Sequence, residues 1–346
     1  MSSDLLEVVY ANDQLAELDP AERRLALRSL LSDVEGAGSG TSLKYISDAI
    51  DGFGPLTELM TMPAVTDVLV NGPFEVWADD GVCLRRTDAC FSNEGELRSL
   101  VDRLLGRAGA RVDDSHPIAD ARLPDGSRMN VVVPPVAAHV HVSIRRFPES
   151  PLTIEDLHRR GTLTDGDLEI LSSAVGKHKT IAISGGTGCG KTTLMNALLG
   201  LVPSCERVVT IEQTPELKPA CDNRVSLLAR EPNSEGRGAV SQQDLVRASL
   251  RMRPDRIVIG EVRGAEALAA LSSMSVGHEG SMVTIHARSA AGVVPRFVTL
   301  ALQAGSGASE ESLRRQTLDS FDLFVHMQRD GGKRKVVEIT DPNRMS

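Results

Sequence analysis

The stretch TIAISGGTGCGKTTLMNALL, residues 180–199, decides the fold. Inside it, Gly185, Gly186, Thr187, Gly188, Cys189, Gly190, Lys191 and Thr192 satisfy G-x-x-x-x-G-K-[ST] at every specified position. The apolar run 181–183 in front reads as a buried strand, and Leu194, Ala197 and Leu198 behind it recur at helical spacing. A strand, a glycine loop and a helix in that order separate a phosphate-binding loop from a turn that merely contains Gly-Lys-Thr. Glycines let several main-chain N–H groups converge on phosphate, and the helix N-terminus adds partial positive charge. Residues Gly185 to Thr193 are therefore expected to cradle ATP. Lys191 should reach the β- and γ-phosphates, and the Thr192 hydroxyl should ligate Mg²⁺.

Downstream, RVVTIE (207–212) and RIVIGE (256–261) are two more apolar strands, each ending in a carboxylate. Glu212 and Glu216 fall just past the first strand, where ligands bind in open α/β sheets. Glu261 ends the second about 70 residues after the loop, which suits an acid delivered to Mg²⁺ or to the attacking water. A fourth strand, 282–285, runs into His286, with His278 a few residues before it. No cysteine lies nearby, so phosphate sensing, a subunit contact or a core histidine is expected there rather than metal binding. A helix and strand over 313–324 and a hairpin over 325–339, turning at Asp330-Gly331-Gly332, close the chain. Strands and helices alternating around a phosphate loop predict a RecA-like doubly wound sheet.

Upstream, Thr153 caps a helix and another runs over 167–175; FPESP (147–151) reads as a linker. Residues 41–148 have a mixed α/β texture. Short strands are expected over 65–71, 75–78, 82–85, 120–123, 128–133 and 140–144, and one helix over 94–106 with Leu97, Leu100, Val101, Leu104 and Leu105 on its apolar side. Arg122, Arg128, Arg145 and Arg146 flank strand ends, as candidates for phosphate contact or for surface salt bridges. His139 and His141 read as strand residues. The first 35 residues carry helical spacing, and GAGSG (36–40) is a flexible joint. The expected organisation is a helical module (1–40), a smaller mixed α/β domain (41–148) and a P-loop domain (149–346).

Composition narrows the function classes. The net charge of −9 and an aromatic content of 3% disfavour a nucleic-acid-stacking surface. Five cysteines without a C-x-x-C pair suggest neither a zinc ribbon nor a disulfide framework, which fits a reducing cytoplasm. No apolar run nears the roughly 18 residues of a membrane span, so a membrane role is expected to come through a partner.

Taken together, GGTGCGKTT, TIEQTPEL, RPDRIVIGEVRGAEA and GHEGSMVTIHA resemble, in that order, the Walker A, Asp, Walker B and His boxes of type II/type IV secretion ATPases. Upstream, VTDVLVNGP, DARLPDGSRMNVVVPP and VSIRRF resemble the CpaF/TadA branch, which powers tight-adherence pilus assembly. The resemblance implies a cytoplasmic homohexameric ring at the inner face of the cytoplasmic membrane. It also implies ATP hydrolysis coupled to polytopic inner-membrane platform proteins, with no direct nucleic-acid partner. Arg128 and Arg145 fall where that family's N-terminal domain supplies arginines to phosphate; Glu212, Glu261, His278 and His286 fall in its boxes. Gln213 stands where the Asp box has an aspartate. Whether Glu212 or Glu261 polarises water stays open at this point.

Overall fold

The computed structural model describes residues 51–342 except 82, 148–150, 231, 233–236, 276 and 306, together with 22, 25–27, 48 and 50. The helical module expected over 1–40, and most of the 147–151 linker, lie outside the described residues. The chain divides into two compact units, Met1–Pro148 and Glu149–Ser346.

In the first unit a 3₁₀ turn, Gly54–Leu56, leads into α1 (Thr57–Thr61). Then come β1 (Asp67–Asn71), β2 (Val76–Asp79), β3 (Leu84–Arg86), α2 (Glu94–Arg107), β4 (Ile118–Arg122), β5 (Arg128–Val132) and β6 (His141–Arg145). All six strands form one sheet in the order β3-β2-β1-β6-β5-β4, each pair antiparallel. The α2 helix starts because Asn93 accepts the Glu96 N–H at 3.0 Å, a side-chain cap for an otherwise orphaned amide. Its five apolar residues all pack into one core with Val68, Val70, Met129, Val131, Val142 and Ile144 of the sheet. Because strand side chains alternate, burying that set turns the other set outward. Cross-strand register then lines up Arg122, Arg128, Arg145 and Asp67 as successive neighbours on the uncovered face. The three arginines of that row are exposed.

The second unit opens with α3 (Ile154–Arg159) and α4 (Asp165–Gly176), each begun by a reciprocal Thr–Asp capping box. It continues through β7 (Ile181–Gly185), α5 (Lys191–Leu199), β8 (Arg207–Glu212), β9 (Asn223–Leu228), α6 (Gln242–Ser249), β10 (Arg256–Val262) and α7 (Glu266–Met274). The last elements are β11 (Met282–Ile285), α8 (Val293–Gln303), α9 (Glu310–Ser320), β12 (Leu323–Asp330) and β13 (Lys333–Thr340). The sheet order is β13-β12-β7-β11-β10-β8-β9, parallel except for the β12–β13 hairpin. Successive residues of its strands serve two different cores. Ala182, Ile257, Ile259, Val283 and Phe324 pack with α7, α8 and α9, whereas Ile181, Ile183, Val258, Met282 and Val325 pack with α3, α4 and α5. A parallel sheet covered on both faces reads as near-continuous hydrophobic runs, and each large buried side chain contributes about 1.5–3 kcal/mol. The fold is the RecA-like α/β sheet expected from the phosphate loop.

Besides the short helix α1 of the first unit, four elements of the second were not anticipated individually. The edge strand β9 alternates exposed and half-buried positions, so its hydrophobic signal is weak. Helix α6 starts at a capping box, Ser241 with Asp244, in a segment with few apolar residues to mark it as a helix. Helices α7 and α8 lie in an apolar stretch where strand and helix periods compete, and Pro295 sits in the first turn of α8, where proline is tolerated.

Candidate functional site

Parallel strands deliver their C-terminal ends to one edge of the sheet, and the loops there build the site. The phosphate loop turns off β7 between β12 and β11. Gly185 must lack a side chain, since a Cβ there would sit 2.4 Å from the Met327 carbonyl oxygen on β12. Gly190 caps α5 in the left-handed region, at φ 98°. Cys189 is buried beneath the loop, consistent with a small residue that fits. Thr192 and Thr193 are half-buried in the first turn of α5.

Lys191 is 7% exposed, and its ammonium donates to the carbonyls of Gly185 (3.1 Å) and Gly186 (2.9 Å). Burial pushes its pKa down. A buried cation resting on neutral carbonyls is one that an arriving phosphate would stabilise, so the loop fits a nucleotide's phosphates.

Two strands away in space, Glu261 lies at the end of β10. Its Oε2 accepts from Arg263 Nη2 at 2.5 Å, and its Oε1 is 2.7 Å from His286 Nε2. Burial raises its carboxyl, but the Arg263 hydrogen bond and the charges of Arg263, His286 and Lys191 outweigh this and hold it below the usual carboxylate range. Burial and the Lys191 charge push His286 down, Glu261 opposing, so its imidazole is neutral near pH 7. Lys191, Glu261 and His286 therefore meet at one edge, joined by Arg263, to which sequence reading gave no role.

Glu212, on the neighbouring strand β8, is 3% exposed and lies over Gly260, where a Cβ would come 3.0 Å from its Cγ. Its Oε1 accepts the main-chain N–H groups of Glu216 (2.8 Å) and Leu217 (2.9 Å). It thus folds the loop that follows its own strand. Asn196 of α5 pins the same loop from the other side, donating to the Glu216 carbonyl and accepting from the Lys218 N–H, both at 2.8 Å.

His278 and His286 do not meet. The four-residue strand β11 separates them, so His286 follows its C-terminal end, while His278 precedes it with Nδ1 3.2 Å from the Ser273 carbonyl. Sequence reading also passed over His326 on β12, 3% exposed, whose Nδ1 is 2.9 Å from Ser184 Oγ at the base of the phosphate loop. In the N-terminal unit Arg128 pairs with Asp120 (3.3 Å) and Arg145 with Asp67 (2.8 Å) on the open face. Arg146 donates to the Met62 and Val65 carbonyls and ties the strand end to the α1 loop. His139 lies 3.5 Å from Glu94, and His141 Nδ1 lies 3.4 Å from Asn71 Oδ1.

No described helix is long and apolar enough to cross a membrane. Residues 49–320 match the family model described as type II/IV secretion system protein. A putative conjugal transfer protein of Mycobacterium tuberculosis is 38% identical over 306 residues, 86% of this chain and 86% of that one. The type IV secretion system protein VirB11 of Brucella suis is 32% identical over 84% of this chain and 89% of its own. Among solved structures, the ATPase DotB of Legionella pneumophila shares the fold, with a TM-score of 0.58 and 21% identity over 82% of each chain. The chain belongs to the type II/IV secretion system family of nucleotide-binding P-loop ATPases.

Proposed function

We propose that the chain is the ATP-driven motor of a pilus-assembly machine, of the CpaF/TadA kind. It works as a homohexameric ring at the inner face of the cytoplasmic membrane and acts through polytopic platform proteins. The observation that carries the catalytic part is the convergence of Lys191, Glu261, His286 and Arg263 at one sheet edge. Lys191 leaves the loop carbonyls to hold the β- and γ-phosphates, which the amides of residues 185–193 cradle. Thr192 and Glu261 are the residues that would hold Mg²⁺, whose charge offsets that of the phosphates. Glu261 is the better candidate for polarising the attacking water. It is ionised, stands on the same edge as Lys191 and has partners that are mobile side chains, whereas Glu212 is 3% exposed and holds the main-chain amides of its own loop. His286, neutral beside Glu261, senses the phosphate. Arg128 and Arg145 are the N-terminal unit's candidates for stabilising phosphoryl charge.

Phosphate release measured together with particle mass tests this. Wild type should hydrolyse ATP as a hexamer, and Glu261→Gln should bind nucleotide but turn it over at least about 100-fold more slowly. Turnover unchanged in Glu261→Gln would remove that residue from the mechanism. A second reading, a conjugation-type motor, draws support from the name of the Mycobacterium tuberculosis relative, a putative conjugal transfer protein. Stimulation of turnover by DNA favours it; indifference to DNA favours pilus assembly.

A further inference from the structure

The β12–β13 hairpin is more than the closing edge of the sheet. β12 pairs with β7 through Met327↔Gly185, so its remaining residues run past the strand end and flank the phosphate loop. Two residues beyond Met327, Arg329 faces Arg334 across the hairpin, and both side chains approach Gly188. The Arg334 Nε–H donates to the Gly188 carbonyl at 3.1 Å, bridging 146 residues of sequence. Arg329 Nη1 lies 3.8 Å from where a Gly188 Cβ would be. The aliphatic stem of Arg334 also packs against Gly190, where a Cβ would lie 3.2 Å from its Cδ.

The direction of that hydrogen bond has a geometric consequence. A trans peptide unit is planar, with its C=O and the following N–H pointing opposite ways. Drawing the Gly188 carbonyl toward the hairpin therefore turns the Cys189 N–H away from the hairpin. Gly188 is at φ 70°, a residue without side-chain restraint on its own orientation, so an external tie has something to fix.

We propose that Arg334 is a positioning residue for nucleotide: its guanidinium anchors the Gly188–Cys189 peptide so that the Cys189 N–H is already aimed at phosphate. This rests on the nucleotide-binding reading of the loop and adds the C-terminal hairpin to it. Loop amides grip the phosphates that ADP and ATP share, so Arg334 serves both nucleotides equally. A direct contact to the γ-phosphate would instead favour ATP alone.

The test is calorimetric titration of the full chain with ADP and with a non-hydrolysable ATP analogue, both with Mg²⁺, alongside melting temperature. Arg334→Ala should weaken both nucleotides by about tenfold, the scale of one hydrogen bond from a charged donor. Arg334→Lys, which keeps a donor at the end of a long stem, should recover to within about threefold. Lys335→Ala, an exposed neighbour on the same strand, should bind as wild type does. Three results overturn the proposal: unchanged affinity in Arg334→Ala, a loss confined to the ATP analogue, or an equal loss in Lys335→Ala. A wild type that binds neither nucleotide would sink the ATPase reading itself, which is a separate outcome from the variants matching a wild type that binds.

Discussion

The two edges of the seven-stranded sheet carry the same chemical inventory and use it in opposite ways. At the N-terminal edge Arg256, 0% exposed, forms a two-pronged contact with Glu206 (2.5 and 3.2 Å). It also donates to the carbonyls of Val175 (2.9 Å) and Gly280 (3.3 Å), with His178 3.3 Å from Glu206. Every arm of that guanidinium ends on a protein oxygen. At the C-terminal edge Lys191, Glu261, Arg263 and His286 assemble the same cation, carboxylate and imidazole, but the lysine rests on neutral carbonyls. A charge set whose partners are all internal is a clasp. One left on weak internal partners is poised for an external anion.

Substitutions should therefore part these edges cleanly. The largest expected effect is Lys191→Ala, which should cut ATP turnover by at least about 100-fold. Its melting temperature should hold or rise, because a buried charge is relieved. Steady-state phosphate release and a thermal melt on one preparation measure both, and undiminished turnover would place the chemistry elsewhere. Next comes Arg256→Ala, predicted to lower unfolding free energy by about 3–5 kcal/mol by stranding Glu206 in the interior. The double variant Arg256→Met with Glu206→Met should recover most of the loss in a urea titration. Turnover per folded molecule should survive in that double variant; its disappearance would break the division between clasp and site.

A third set of charges sharpens the contrast, because it has neither burial nor convergence. Arg128→Ala together with Arg145→Ala removes two exposed ion pairs, each worth about 0–1 kcal/mol, so the melt should barely move. Turnover falling by about tenfold or more would mark these arginines as part of the reaction. An unchanged rate would reduce them to surface pairs.

The smallest effect is in pH. Burial, partly offset by Glu338, lowers the pKa of His326; burial and Lys191 lower that of His286. The unfolded chain then binds more protons than the folded one below the ordinary histidine value of roughly 6.5. The stability these groups contribute is complete above that pH and drains away as pH falls. Melting should drop by a few degrees between pH 7.5 and 5.5, and His326→Gln should flatten that slope. An identical slope in the variant would assign it to other groups.

Much of the sheet and its loop was legible because the governing signals are local. The glycine pattern, the apolar runs of β7, β8 and β10, and the capping box before α3 are each written within ten or so residues. What escaped depends on contacts across the chain. Nothing local marks Arg256 or Arg334: the role of the first shows only once β10 is placed beside β8, and that of the second only once β12 is paired with β7. The edge strand β9 was missed for a different reason: one side faces solvent, so its hydrophobic code is diluted. Glu212 shows a third limit, since sequence places a carboxylate at a strand end but not the amides it accepts from.

The strict parity of β5 and β6 has a practical corollary for protein engineering. Met129, Val131, Val142 and Ile144 carry the packing, while 128, 130, 143 and 145 project from the other side of the same two strands. Because side-chain direction flips at each step, that second quartet can be randomised as a combinatorial library with the hydrophobic scaffold held constant. Selection from such a library would read out what the surface recognises without first having to rescue misfolded clones.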